Sequence, residues 1–142
     1  MAPAQAQALF VDTSAWVALL HRADQAHRPA TAAWPGIRDG RRQLVTTNLV
    51  LAETHALLTR RLGANAALAF WDRLTFRARQ RIVWADAELT QAAVEAWLRK
   101  RLNRGFSLAD AVSFEVMRRE DITEAFAFDR DFERAGFALL SA

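Results

Sequence analysis

Four carboxylates in this sequence stand beside apolar segments, where an ionised side chain is costly. Asp12 directly follows the apolar run "ALFV", and Asp129 directly follows "ITEAFAF". Glu53 lies among leucines in "TTNLVLAETHALLTRR", and Asp110 lies in the mostly apolar segment "LADAVSFEVM". These positions predict that the four side chains serve chemistry rather than ordinary surface solvation.

A cluster of such acids would need compensating cations or protons. Two carboxylates about 4 Å apart repel each other by roughly 4 kcal/mol at an effective dielectric constant near 20. Hard oxygen ligands without histidine or cysteine select Mg²⁺ or Mn²⁺, and such ions bind a phosphodiester and activate a water molecule. If the four acids converge, the chemistry is therefore metal-dependent hydrolysis of a nucleic acid.

Glu53 has the least ordinary position of the four. On a helical wheel it falls within the arc formed by Leu49, Val50, Ala56 and Leu57, so we predict that its side chain points inward. A carboxylate there must be neutralised, paired with a cation or set in a polar cleft. An arginine partner is the structural alternative to a metal ion.

Each of the other three acids also has a structural alternative. Asp12 could cap a helix that begins near Ser14. Asp110 completes a capping-box-like arrangement with Ser107. Asp129 could open a turn or cap a short helix in "DRDFERAG".

Short apolar runs alternate with longer amphipathic segments along the chain. Strands are predicted at residues 8–11, 43–47, 81–85, 122–128 and 137–140. Helices are predicted at residues 14–22, 25–33 (ending before Pro35), 48–62, 64–78, 87–101 and 107–120. This order predicts an α/β fold in which helices cover a parallel sheet on both faces.

In such a sheet, ligands gather at the carboxyl ends of the strands. Asp12 and Asp129 directly follow predicted strands, Glu53 lies in the second turn of its helix, and Asp110 lies in the first turn. All four side chains are therefore expected to reach one edge of the sheet.

The length of 142 residues and the hydrophobic content of 52% predict a single domain spanning residues 1–142, with residues 1–7 as a flexible N-terminal extension. No apolar run approaches 18 residues and the start of the chain lacks the features of a signal peptide, so we expect a cytoplasmic protein that does not enter a membrane. The absence of cysteine excludes disulfides, zinc-thiolate sites and thiol catalysis. The three histidines show no metal-ligand spacing.

Basic residues number 19 against 16 acidic residues, and Lys100 is the only lysine. Arginine suits bidentate contact with phosphate, but arginines near helix ends also favour the helix dipole. Trp16, Trp71 and Trp97 sit within apolar patterns, which predicts core or dimer packing rather than base stacking. The candidates for contact with an RNA backbone are Arg99, Arg101, Arg104, Arg41 and Arg42.

Four segments of this sequence resemble the PIN-domain ribonucleases, in particular the VapC-type toxins of bacterial toxin–antitoxin pairs. They are "FVDTSAWVALL", "TTNLVLAETHALL", "FSLADAVSFEVM" and "AFAFDRDFERAGF", and they occur in the family's order over nearly the whole chain. The resemblance implies a three-layer α/β/α fold with a central parallel five-stranded sheet and a Mg²⁺ or Mn²⁺ site. It further implies endonucleolytic cleavage of RNA, a homodimer, and inhibition by a cognate antitoxin protein of a type II pair.

The resemblance also assigns roles to individual residues. Asp12, Glu53, Asp110 and Asp129 would be the catalytic, metal-binding acids, with Asp110 or Asp129 orienting or deprotonating the attacking water. Ser14 matches a small hydroxyl residue beside the first acid. Family members often carry Thr or Ser two residues before the fourth acid, where this chain has Ala127. Asp131 is therefore an alternative to Asp129 as the fourth metal-binding acid.

Two other functions remain open at this point. One is a PIN-like module that binds RNA or protein without turnover. The other is a phospho-accepting receiver domain, which would require an acid pair at the first strand and a lysine after the fifth, and neither is present. The RNA target and the number of metal ions are left open.

Overall fold

Five short strands form one sheet in the computed structural model, which describes residues 7–75 and 79–140. They are β1 (Leu9–Val11), β2 (Leu44–Thr47), β3 (Gln80–Val83), β4 (Glu124–Phe126) and β5 (Ala138–Leu139). Their order is β3-β2-β1-β4-β5, and all neighbouring pairs are parallel. The predicted parallel five-stranded sheet is therefore confirmed.

The described segments between the strands are mainly helical. The helices are α1 (Thr13–Leu20), α2 (His27–Asp39), α3 (Asn48–Leu62), α4 (Ala64–Thr75), α5 (Ala87–Ala93), α6 (Leu108–Arg119) and α7 (Asp131–Arg134). A π-helical segment, Val94–Arg99, continues α5, and a 3₁₀ turn, Leu102–Arg104, follows it. Helices α1 to α4 pack together, as do α5, the π-helical segment, α6 and α7. Right-handed crossovers put these two groups on opposite faces of the sheet, which confirms the three-layer α/β/α architecture.

The central strands lie in the core of the molecule. Every residue of β1 and β2 is buried, as expected for parallel strands covered on both faces. Beside them, the Phe114 ring lies edge-on to Phe106 and Phe132, with ring centroids 5.0 Å apart in each pair. Such aromatic pairs each contribute about 1 kcal/mol beyond their burial. The core thus holds α6 firmly against the sheet.

Polar side chains begin the helices that approach the carboxyl edge of the sheet. Asp12 caps α1, Thr47 caps α3 and Ser107 caps α6. The Val50 N–H donates to Thr47 Oγ1 at 3.1 Å. Each cap fixes where a helix starts relative to the strand before it, at about 1 kcal/mol of stability per cap.

Helix α2 differs from its prediction. It was expected over residues 25–33, ending before Pro35, but it spans His27–Asp39 with Pro35 inside. Pro35 and Thr31, whose carbonyl loses its helical partner, are both exposed, so water replaces the missing hydrogen bond. The Arg79 guanidinium also donates to the carbonyls of Ile37 and Arg38 near the helix end, which stabilises the longer helix.

Other helix and strand boundaries differ from the predicted ones by a few residues. The fourth strand, expected over 122–128, is only three residues long, and the helix expected over 87–101 becomes π-helical at Val94. The helix expected over 64–78 is described as far as Thr75, and residues 76–78 lie outside the described part. Strand ends depend on the pairing partner, which a single sequence does not specify.

Gln7, expected in a flexible extension, is held by the fold. Its side chain donates to the Asp121 carbonyl at 3.0 Å and accepts from Thr123 Oγ1 at 2.9 Å. The rest of the expected extension, residues 1–6, lies outside the described residues. Among the helices that the structure describes, none has the length and hydropathy needed to cross a bilayer.

Candidate active site

A cavity of about 810 Å³ opens at the carboxyl ends of β1 and β4. The chain leaves β1 toward β2 on one side, whereas β4 lies on the other side of β1. This reversal is the topological switch point at which open α/β sheets bind ligands. The cavity is lined by all four acids singled out from the sequence, Asp12, Glu53, Asp110 and Asp129.

Asp12 lies at the base of the cavity and is only 5% exposed. Its Oδ2 accepts hydrogen bonds from the Ser14 backbone N–H at 3.2 Å and from Ser14 Oγ at 2.7 Å. Ser14 Oγ in turn accepts from the Phe128 backbone N–H at 2.9 Å. Ser14 therefore ties the first acid to the loop after β4, which carries Asp129.

Buried threonines hold helix α3 against the start of α1. Thr54 Oγ1 donates to Thr13 Oγ1 at 3.2 Å and to the Val50 carbonyl at 2.8 Å, and Thr13 Oγ1 donates to that same carbonyl at 3.2 Å. Thr13 follows Asp12 and Thr54 follows Glu53, so these bonds fix the spacing between the two acids. Sequence reasoning missed these threonines, although both directly follow a singled-out acid.

Glu53 does not point into the core, so that prediction is wrong. Its side chain is exposed at the rim of the cavity, whereas the buried residues of α3 are Val50, Leu51, Thr54 and Leu58. The apolar arc on the helical wheel includes half-buried Leu57, which lines the same cavity. The arc therefore faces a cleft rather than packed protein, and periodicity does not distinguish the two.

Three carboxylates form the tightest group at the cavity. Oxygen atoms of Asp110, Asp129 and Asp131 lie within 4.8 Å of one another. The Asp131 backbone N–H donates to Asp129 Oδ1 at 2.9 Å, and the Asp131 carboxylate pairs with Arg134 at 2.7 Å. Asp129 and Asp131 therefore lie side by side, and of the two it is Asp129 that lines the cavity.

The acids disfavour one another's ionisation. Burial raises the pKa of Asp110 to about 7, with further increases from the charges of Asp12, Asp129, Asp131 and Glu53. Burial also raises the pKa of Asp12, against the hydrogen bonds from Ser14, and desolvation together with Asp12 and Asp129 raises the pKa of Glu53. The carboxylates thus form one electrostatically coupled group that favours protons or a cation.

The residues present suit a hard divalent cation. The converging donors are carboxylate oxygens, and ligand oxygens about 2.1 Å from one ion lie up to about 4 Å apart, which is close to the spacing of Asp110, Asp129 and Asp131. A dipositive ion would also offset the repulsion that raises the pKa of Asp110. Mg²⁺ or Mn²⁺ fits this donor set better than zinc does.

The arginines proposed to contact RNA fall into two places. Arg99, Arg101 and Arg104 form an exposed basic loop just before Ser107, which lines the cavity. Arg99 pairs with Glu95 at 2.8 Å, and Arg101 lies 4.3 Å from the ring centroid of Trp97. The Arg104 carbonyl accepts a hydrogen bond from Arg134, the partner of Asp131, so the end of this basic segment lies near the acids.

Arg41 and Arg42 lie elsewhere. They precede β2, at the amino ends of the strands, which is the edge of the sheet opposite the acids. Arg42 donates to Glu124 Oε1 at 2.5 Å and to the Gln7 carbonyl at 2.6 Å, so it joins the start of β4 to the N-terminal segment. Their position does not fit contact with a substrate at the acid cavity.

The cavity wall at the ends of α1 and α3 was not predicted from the sequence. His21, Asp24 and Arg61 line it, at the end of α1, in the loop that follows and at the end of α3. Only the fold brings a residue near position 21 beside one near position 61. The spacing of four residues from Glu53 to Leu57 and from Leu57 to Arg61 was the local signal that separates Arg61 from Arg60, its neighbour on the same helix.

The sheet order excludes the receiver-domain alternative. Flavodoxin-like and receiver sheets have the order 2-1-3-4-5, whereas this sheet has the order β3-β2-β1-β4-β5. The phospho-acceptor hypothesis is therefore wrong.

Known proteins resemble this chain in sequence and in structure. The 23S rRNA-specific endonuclease VapC20 of Mycobacterium tuberculosis is 40% identical over 132 residues, which cover 91% of this chain and 95% of that protein. The crystal structure of M. tuberculosis VapC20, described as a sarcin–ricin loop cleaving toxin, matches with a TM-score of 0.86 and 38% identity, covering 95% of this chain and 100% of that one.

A more distant structure shares the fold alone. VapBC2 from Rickettsia felis, bound to a DNA fragment from its promoter, matches with a TM-score of 0.63 and 15% identity, covering 93% of this chain and 96% of that one. The model of the PIN domain family matches residues 9–138, nearly the whole chain. With a relative of 40% identity over most of its length, this chain belongs to the PIN domain family.

Proposed function

We propose that this protein is a Mg²⁺- or Mn²⁺-dependent endoribonuclease that hydrolyses phosphodiester bonds of RNA. The observation that carries the proposal is the convergence of Asp12, Glu53, Asp110 and Asp129 around one cavity, with Asp131 beside them. Their coupled ionisation, which raises the pKa of Asp110 to about 7, indicates a site built for a cation. The 40% identity to a protein named as an endonuclease supports the same reaction class.

Asp12, Asp110 and Asp129, with Glu53 at the rim, would hold the ion, and Asp131 stands close enough to share the role. A bound Mg²⁺ or Mn²⁺ would supply Lewis-acid stabilisation of the phosphate and lower the pKa of a water molecule. Asp110 or Asp129 would orient the attacking water and accept its proton. Ser14 would position Asp12 through the 2.7 Å hydrogen bond.

For the substrate, we propose a loop of ribosomal RNA. The relative with 40% identity is named as specific for 23S rRNA, and the matching crystal structure is described as a toxin that cleaves the sarcin–ricin loop. The exposed loop with Arg99, Arg101 and Arg104 would bind the RNA backbone beside the cavity, because arginine pairs with phosphate bidentately.

The cellular role that we propose is that of a toxin. The relative at 38% identity is described as a toxin, and a nuclease that attacks ribosomal RNA must be inhibited in a growing cell. We therefore propose a cognate antitoxin, a homodimeric state, a single domain spanning residues 1–142 and a cytoplasmic location beside the ribosomes. Light scattering of the purified protein, alone and with a coexpressed candidate antitoxin, tests the assembly.

The decisive experiment is cleavage of 23S rRNA in purified ribosomes by purified protein with Mg²⁺ or Mn²⁺. Asp12→Asn and Asp110→Asn should each lower the rate at least about 100-fold, because each removes a ligand charge from the site. Asp121→Asn is the matched control, since Asp121 is exposed and lies before β4, at the edge opposite the cavity. Cleavage by both cavity variants at the wild-type rate would mean a contaminating nuclease and would refute the proposal.

The alternative of a binding module without turnover makes a different prediction. Such a protein would bind RNA but leave it intact, and its melting temperature need not respond to Mn²⁺. The enzymatic proposal requires Mn²⁺ to raise the melting temperature of the wild type more than that of Asp110→Asn, because a ligand of the folded state stabilises it by mass action. RNA binding with neither cleavage nor a Mn²⁺ response would favour the module.

A further inference from the structure

The wall of the cavity opposite the acids carries its own polar residues. His21, Asp24 and Arg61 line this wall, which we call the polar wall. Among the residues that the structure describes, Arg61 is the one arginine or lysine that lines the cavity. A cation facing a cluster of acids is the natural contact for an anionic substrate that must enter between them.

Arg61 is aligned with the acid site along α3. Glu53, Leu57 and Arg61 are spaced four residues apart, so they lie on one face of the helix, and all three line the cavity. Glu53 and Arg61 are separated by about 12 Å along the helix axis at 1.5 Å per residue. A helical side chain leans toward the N-terminus, which brings the guanidinium back toward the acids.

The guanidinium of Arg61 is only loosely held. Its Nη1 lies 3.5 Å from Asp24 Oδ2, beyond the usual length of a charge-assisted hydrogen bond, and the side chain is 43% exposed. Asp24 is better fixed, because its Oδ1 accepts from the Ala26 backbone N–H at 2.9 Å. Asp24 therefore holds Arg61 near the cavity while leaving its donors available to a phosphate.

His21 offers a second and independent indication of a ligand at this wall. Its Nδ1 is buried and has no hydrogen-bond partner among the described residues. Its backbone N–H ends α1 by donating to the Val17 carbonyl at 2.8 Å, which fixes the residue in place. Such an atom needs an explanation, and a rotation of the half-buried His21 ring toward the cavity would give Nδ1 a partner in a bound molecule.

We propose that the polar wall is an RNA-backbone subsite, in which Arg61 leaves Asp24 to bind a phosphate neighbouring the scissile one. His21 Nδ1 then hydrogen-bonds the same nucleotide. The distance along α3 separates this phosphate from the one at the acids, so the subsite positions the strand and takes no part in bond breaking. This inference rests on the proposed ribonuclease function.

The competing explanation is that Arg61 only stabilises the end of α3. Arg60 provides the comparison, because both arginines lie in the last turn of α3, where a cation favours the helix dipole. Arg60 does not line the cavity, whereas Arg61 does. A role limited to the helix dipole would make the two positions equivalent in substrate binding, and a substrate role would make them different.

The test uses steady-state cleavage of a synthetic RNA hairpin with the sarcin–ricin loop sequence, in Mn²⁺, by the full chain. Arg61→Gln should raise KM about 10-fold with a much smaller change in kcat, because a charge-assisted contact is lost. The slope of log KM against log salt concentration should fall by about 0.7, the value for one phosphate contact on a single strand. Arg60→Gln should match the wild type in KM, kcat and salt slope.

A second variant separates substrate contact from structure. Asp24→Asn keeps the acceptor for the Ala26 N–H but releases Arg61, so it should lower KM, whereas Arg61→Gln raises it. The benefit of Asp24→Asn should vanish in the double variant Asp24→Asn/Arg61→Gln, because the two changes act through the same side chain. If the two single variants instead have equal KM values and only lower the melting temperature, Arg61 is structural.

The outcomes distinguish this inference from the proposed function. A wild-type protein that does not cleave RNA refutes the function, and the subsite falls with it. A wild-type protein that cleaves RNA, alongside an Arg61→Gln variant indistinguishable from Arg60→Gln, refutes the subsite alone.

Discussion

Helix α6 carries two carboxylates five residues apart that experience opposite environments. Asp110 faces other acids, and burial with their charges raises its pKa to about 7. Glu115 is only 2% exposed, yet hydrogen bonds from Arg118, Arg119 and Trp97 lower its pKa to about 2. Within one helix, Glu115 is paired with two arginines, whereas the charged groups that act on Asp110 are other acids.

The comparison separates a structural acid from a functional one. Glu115 accepts from Trp97 Nε1 at 3.1 Å, from Arg118 at 2.6 Å and from Arg119 at 3.0 Å, and it thereby joins α6 to the π-helical segment. Around Asp110, the described contacts are a backbone cap from Ser107 and the repulsion of neighbouring acids. The first acid is fully paired within the fold, and the second is the one for which we propose a bound cation.

The largest expected effect is the loss of activity when Asp110 is substituted. Asp110→Asn should lower kcat by about 100-fold to 1000-fold, since it removes charge from the site that we propose to bind the ion. In EDTA the same variant should be at least as stable as the wild type, because a repulsive charge is gone. Urea unfolding and cleavage assays measure the two quantities, and a variant that loses stability in EDTA would contradict this distinction.

At Glu115 we expect the opposite result, a loss of stability without a loss of activity. Glu115→Gln should lower the free energy of unfolding by about 2 kcal/mol, because Trp97 Nε1 and two guanidinium groups lose an ionised acceptor. The activity of the folded fraction should stay close to the wild type. Thermal melts with rate measurements well below the transition check both statements, and a loss of kcat without loss of stability would place Glu115 in the catalytic machinery.

A smaller effect is expected at Ser14. Ser14→Ala removes the hydroxyl that donates to Asp12 and accepts from Phe128. We expect kcat to fall about 10-fold and the free energy of unfolding to fall by about 1 kcal/mol. Ser113→Ala is the matched control, because the Ser113 hydroxyl donates only to the Ala109 carbonyl of its own helix. Equal losses of kcat in the two variants would show that Ser14 has no special role in positioning Asp12.

The smallest expected effect is a dependence of stability on pH. The folded-state pKa of Asp110, about 7, lies above the unfolded value near 4, so in EDTA the free energy of unfolding should fall as pH rises from about 4 to about 7. The folded-state pKa of Glu115 lies below its unfolded value, so its contribution is present above about pH 4.5 and is lost toward pH 2.

Each slope should be on the order of 1 kcal/mol per pH unit and should belong to one residue. Asp110→Asn should flatten the fall toward neutral pH, and Glu115→Gln should flatten the fall toward acid. Saturating Mn²⁺ should reverse the first slope, because the ion competes with protons for the same oxygens. Melting temperatures in a buffer series from pH 3 to pH 8 measure these slopes, and a wild type that gains stability from pH 5 to pH 8 in EDTA would contradict the assignment to Asp110.

The parts of the fold and of the site that depend on local sequence could be predicted. Asp12 and Asp129 were found because each follows a strand, and strand ends in a parallel sheet have a predictable location. The caps at Asp12 and Ser107 are equally local and were predicted for the same reason. Local spacing and the alternation of strands and helices along the chain were therefore sufficient to predict the parallel sheet and the convergence of four acids at one cavity.

What the sequence did not reveal depends on contacts between distant segments. The pairing of Glu115 with Trp97 requires the π-helical turn, which apolar periodicity does not distinguish from an α-helix. The exposure of Glu53 depends on what faces α3, and the location of Arg42 depends on the edge of the sheet to which its loop returns. Arg61 and Asp24 meet only after α1 and α3 have packed.

The position of β1 between β2 and β4 has a consequence for biosynthesis. Asp12 emerges early, but the strand that places Asp129 beside it is made only after more than a hundred further residues. A chain that has not yet reached Glu124 lacks β4 and Asp129, so it lacks one of the acids that line the cavity. The cavity is therefore completed only when β4 has been synthesised and has paired with β1.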